Sequence, residues 1–197
     1  MKKVLTICFL AIFLSGCTGE DTLQNYIRPM ELTDDQQHLM DLVSHGNEIY
    51  IFEFNTSEAF TAMEFWIDVY EYGIFSETAG GLHISGFLQP AHNGQFSVVI
   101  SGDNRNAWSL ANHGESGGGR MTTSTPTIPE SNMGRLASAI QEPVPIELYK
   151  DIVLYVALFS QTGRFGMPRD KQQLFTDPEW EFETYSVAHV LKARFTR

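Results

Sequence analysis

The 197-residue chain is poor in cysteine, poor in positive charge and without a long apolar run. Its only cysteines, Cys8 and Cys17, exclude a disulfide framework and a multi-cysteine metal site. Thirteen basic residues stand against 24 acidic ones, a formal net charge of −11, which argues against nucleic acid and anionic lipid as partners. The longest apolar segment, Val4 to Leu14, has eleven residues and falls short of the ~20 that a transmembrane helix needs. No segment recurs at a period of about 20 to 50 residues, so solenoids and propellers are not expected.

What is present at the N-terminus has a clear order. Lys2 and Lys3 precede the apolar segment, and the small residues Ser15 and Gly16 follow it, as in a secretory signal. Leu14, Ser15, Gly16 and Cys17 resemble the lipobox of bacterial lipoproteins, whose cysteine thiol is alkylated with diacylglycerol before the chain is cut ahead of it. The thiolate is the nucleophile such a step requires. The other reading is an ordinary secretory signal with an incidental cysteine.

The lipobox resemblance implies a signal peptide over residues 1–16 and a lipidated Cys17 with a tether over 17–31, and the length that remains suits a single β-rich domain with an N-terminal helix over 32–197. The resemblance also implies attachment to the cell membrane on its extracytoplasmic face. Each buried acyl methylene contributes roughly 0.8 kcal/mol, so the two or three chains of a lipoprotein (palmitate and its like) hold firmly. Without Lys2 and Lys3 the balance becomes 11 basic to 24 acidic residues, a charge of −13, and the domain is pushed outward from a negative membrane.

From Leu32 the pattern is structural. Thr33 with Gln36 has the form of a capping box, Asp34 and Asp35 suit the positive helix end, and Gly46 is placed to end the helix in a left-handed conformation. Leu39, Met40, Leu42 and Val43 form its apolar stripe and predict a face to be buried. Thereafter the period becomes alternating: residues 48–55, 60–73, 81–88, 94–101, 106–110, 151–160 and 182–195 read as strands separated by turn-rich segments. Residues 112–132 read as a long polar loop, and residues 132–143 as one or two helical turns. The fold class expected is mainly β, an antiparallel β-sandwich or partly open barrel with one short N-terminal amphipathic helix packed beside it. This layout, with "NEIYIFEFN" and "IELYKDIVLYVALFS", resembles small uncharacterised lipoproteins of Gram-positive bacteria, which implies the fold and location but no chemistry.

Several strings with chemical associations fail on spacing. "HGESGGGR", His113 to Arg120, resembles the segment around the nucleophile of trypsin-like serine proteases, with Glu115 in place of the aspartate. Only 24 residues separate His92 from Ser116, too few for that family's two barrels, and the string lacks the ending of a phosphate-binding loop. Of six histidines, only His38 and His45 are close, two helical turns apart. Asp103, Asn104 and Asn106 lack the full pattern of a calcium loop. No cofactor and no metal are expected.

One row of side chains remains. If Met63, Phe65, Ile67 and Val69 face the core, then Glu64, Trp66, Asp68, Tyr70 and Tyr72 share the other face, mixing amphipathic rings with carboxylates as a sugar face or a protein hot spot does. The bland alternative is that another element covers this row. Four residues along a strand separate the backbones of Glu64 and Asp68 by roughly 13 Å, too far for a glycosidase pair. The expected function is therefore non-catalytic binding of a protein, peptide or cell-wall component near the membrane. The rival is an envelope hydrolase with dispersed residues such as His83, His113 and Glu64.

Overall fold

A computed structural model describes residues 24–86, 92–101, 106–114, 117–125, 133–163, 175 and 184–197. Residues 1–23, which hold the expected signal peptide, Cys17 and the first part of the expected tether, lie outside the described residues, as do Asp103, Asn104, Glu115 and Ser116.

The elements run β1 (Tyr26–Pro29), α1 (Asp34–Ser44), β2 (Glu48–Thr56), β3 (Ala62–Glu71), β4 (Ile74–Ser85), β5 (His92–Ser101), β6 (Ala107–Gly114), β7 (Gly117–Ser124), β8 (Gly134–Ala139), β9 (Val144–Pro145), β10 (Ile152–Ser160) and β11 (Val187–Thr196). They form two antiparallel sheets, one ordered β7-β6-β5-β2-β1-β9 and the other β4-β3-β11-β10-β8. The fold is a β-sandwich with one short helix, and neither sheet closes on itself.

Alternation along the strands builds the core. Phe52 and Phe54 of β2, Phe96, Val98 and Ile100 of β5, and Trp108 and Leu110 of β6 point inward from the first sheet. Met63, Phe65 and Ile67 of β3 with Leu191, Ala193 and Phe195 of β11 meet them from the second. Phe65 and Phe96 stack across the interface with ring centroids 3.6 Å apart. β10 is apolar on both faces because both are covered, as expected of a continuous hydrophobic strand. A register shift between Val153 and Tyr155 turns both Leu154 and Tyr155 inward, and leaves Val153, Val156 and Leu158 in a second cluster with Tyr70, Tyr185 and Val190.

The structure departs from the sequence expectations at four places. β1 lies within residues 17–31, the stretch expected as tether, and pairs with β2 and β9, so the folded part begins before Leu32. α1 has its capping box, but its left-handed cap is His45, followed by a left-handed Gly46. None of its residues is buried; Leu39 is 59% and Leu42 60% exposed, so the apolar stripe does not pack into the sandwich. Residues 112–114 and 117–124, expected as loop, are paired strands, and residues 115–116 and 126–132 of that stretch lie outside the described residues. Gly134–Ala139, expected as helical, pairs with β10 instead.

Polar contacts join the sheets at two places among the described residues. The Thr123 hydroxyl of β7 donates to the Ala79 carbonyl of β4 at 2.7 Å, where Gly80 has no room for a Cβ because the Thr123 side chain would lie 2.7 Å from it. At the second place, Arg135 of β8 bonds Glu48 of β2 through two nitrogens at 2.5 and 2.7 Å.

Candidate functional site

β3 alternates as the sequence predicts, and its outward row is divided by its neighbours. Glu64 meets the imidazole of His83 on β4 at 3.0 Å. Trp66 is half-covered by the guanidinium of Arg194, 5.1 Å from the ring, which Asp151 holds in turn at 2.7 Å. Asp68 is buried; its carboxylate accepts from the Thr78 hydroxyl at 2.7 Å and pairs with Lys192 at 2.9 Å. Tyr70 is buried as well, its hydroxyl accepting from Lys192 at 3.1 Å. Burial acts against the Lys192 charge, but the bonds to Tyr70 and Asp68 outweigh it and raise the ammonium pKa. Tyr72 stands apart, 60% exposed in the β3–β4 turn at φ +50°.

The continuous aromatic face expected from Glu64, Trp66, Asp68, Tyr70 and Tyr72 is thus not present. Glu64, Trp66 and Asp68 line a shallow open cleft of about 290 Å³ with Phe75, Thr78, Asp151 and Arg194. Tyr70 belongs to the second apolar cluster, because the shift of register between β3 and β4 and the chain around Tyr185 place it under cover.

A larger open groove, about 530 Å³, lies on the outer face of the other sheet. Register explains it. One rung aligns Tyr26 of β1, Asn55 of β2 and Asn93 of β5; the next aligns Arg28, Glu53, Gln95 and His113 of β6. Arg28 is bonded to Glu53 at 2.5 Å and lies 5.2 Å above the Tyr26 ring. The side-chain amides of Asn55, Asn93 and Gln95 make no hydrogen bond to other described residues. Sequence reasoning passed over this groove, although its signal exists: the outward positions of "EFN" (53–55) and "HNGQ" (92–95) carry amides where a solvated acidic domain usually carries charge.

The groups with the largest displaced pKa values lie elsewhere, between the sheets. Tyr50 and Tyr155 donate to the Glu48 carboxylate at 3.3 and 3.2 Å, and Arg135 also bonds the Tyr155 hydroxyl. Burial, and then the Glu48 charge, push the Tyr50 phenol up to about 12. Burial raises Tyr155 further, against the opposing charge of Arg135. His189 is fully buried against Phe159 and Trp108, and neither of its ring nitrogens has a hydrogen-bond partner among the described residues. Burial, reinforced by the Arg135 charge, lowers its pKa to about 3.

The hydrolase candidates are not brought together. Glu64 and His83 share the outer face of one sheet, whereas His113 projects from the outer face of the other. His92, the upstream partner considered for a protease, is a core residue packed edge-on against Phe60. Among the described residues no three His, Cys, Asp or Glu side chains gather as a metal site, and no helix is long and apolar enough to cross a membrane.

A family model described as the YgaN domain matches residues 26–186, beginning at the first residue of β1 and ending just before β11. Comparison with curated proteins and with solved structures finds no match.

Proposed function

The chain belongs to the YgaN domain family, and we propose that it is a lipid-anchored extracytoplasmic domain that binds a protein, peptide or cell-wall component close to the membrane. The anchor part of this reading rests on the signal order and on the lipobox at Leu14–Cys17. The binding part rests on one observation: both described clefts are open surfaces on rigid sheets, while the strongly perturbed titratable groups are enclosed in the core away from them. Acid–base catalysis places such groups in the cleft where the substrate sits.

The test is to incubate the full-length protein in detergent with wall fragments and peptides, following both its melting temperature and the integrity of the fragments. A reproducible rise without cleavage supports binding; saturation at 100 times the dissociation constant stabilises by about 2.7 kcal/mol. Cleavage that disappears in Glu64→Gln and His83→Ala replaces this reading with a hydrolase.

A further inference from the structure

We infer that the groove on the outer face of the six-stranded sheet is a binding site for an uncharged glycan chain. The inference deepens the binding reading above and rests on it.

Position in the sheet is the first argument. The groove lies over β1, β2, β5 and β6, none of which is an edge strand in the order β7-β6-β5-β2-β1-β9. A peptide recognised through its main chain needs an unpaired strand edge, which this floor does not offer. Recognition here has to come from side chains standing on the sheet.

Those side chains are chemically uniform. Asn55, Asn93 and Gln95 each carry one carbonyl acceptor and one NH₂ donor group, and all three are unengaged by other described residues. Adjacent strands hold them about 4.8 Å apart, and successive outward positions lie roughly 7 Å apart along each strand. Such an array of paired donors and acceptors suits a run of hydroxyl and acetamido groups, which also donate and accept. The Tyr26 ring, one face of which lies under the Arg28 guanidinium, adds an amphipathic rim to the groove, and His113 a further polar edge.

Charge is the second argument. The protein carries a formal −11, yet among the described residues one carboxylate lines the groove, Glu53, and Arg28 holds it at 2.5 Å. The two neutralise each other, so the groove has no net charge for an ion to meet. Among the described residues this single, paired carboxylate does not make the two-carboxyl set of a glycosidase, which suits holding a glycan rather than cutting it. The frame is rigid because every lining group stands on or beside a paired strand.

Microcalorimetry on the full-length protein in detergent tests this, using the tetramer of β-1,4-linked N-acetylglucosamine and cellotetraose as probes. Binding of at least one probe is expected with a dissociation constant below about 1 mM, weakened about tenfold in Asn93→Ala and in Gln95→Ala. Ile74→Ala, on the other sheet and 73% exposed, should leave the affinity unchanged, and all three variants should melt with the wild type. Binding that survives both groove substitutions places the glycan elsewhere and overturns the inference while leaving the binding reading intact. No binding of either probe, with a peptide still raising the melting temperature, overturns the glycan assignment alone. Cleavage of a probe overturns both.

Discussion

At His189, burial couples stability to pH. Its imidazole sits in the core with no hydrogen-bond partner among the described residues, beside Phe159, Trp108 and the Arg135 guanidinium. The folded-state pKa of about 3 lies below the 6.5 of an exposed histidine, so the native state holds fewer protons than the unfolded chain. Its contribution is complete above pH 6.5 and is lost as the pH falls towards 3. At pH 5 the loss is about 2 kcal/mol. His189→Leu should remove this part of the acid limb and be no less stable than wild type at pH 7.5, because an unsatisfied buried polar group is lost with the ring. Urea unfolding of both proteins at pH 7.5, 6 and 5 checks it; parallel curves would show that His189 does not titrate as described. Sequence lists a histidine at 189 and says little more, since its isolation is created by residues 30 to 81 positions away. The Glu48–Arg135 pair is equally silent in sequence, its partners being 87 residues apart.

Local signals served the elements unequally. α1 was legible because its determinants, Thr33, Gln36 and the glycine after its end, lie within one short segment. Its environment was not, and the two facts predict different outcomes. Thr33→Ala should lower stability by about 0.5–1 kcal/mol if the helix unravels with the domain, through loss of the bond from the Gln36 N–H to the Thr33 hydroxyl. Leu42→Ala should change it by less than about 0.5 kcal/mol, since the side chain is 60% exposed. Chemical denaturation measures both, and a larger cost at Leu42 would mean that the stripe is covered in solution. β7 and β8 show the opposite failure. "GGGRMTTS" and "GRLASA" have weak strand composition, and their conformation comes from pairing with β6 and β10. A strand that takes its shape from a neighbour cannot be read from its own residues.

At the scale of the molecule, the proposed anchor and the groove are close in sequence. Tyr26, at the groove, is nine residues after Cys17, a reach of at most about 30 Å in an extended chain. The proposed lipid would hold the site within that distance of the membrane surface. Expression of the full chain in bacteria with radiolabelled palmitate should label the wild type and place it in the membrane fraction, and Cys17→Ser should lose both label and retention. Unlabelled wild type in the soluble fraction would leave an ordinary secretory signal as the reading of residues 1–16. Sequence by itself determined the strand alternation that builds the sandwich, the capped helix, the acidity, and the signal order at the N-terminus, because each is carried by neighbours in the chain or by composition. Only the tertiary structure decided that Asp68 and Tyr70 are covered, that the helix stripe is left open, and that the amides of β2 and β5 line one groove. Those outcomes depend on strand order and register, which bring together side chains from distant segments and are set by the packing of the whole domain.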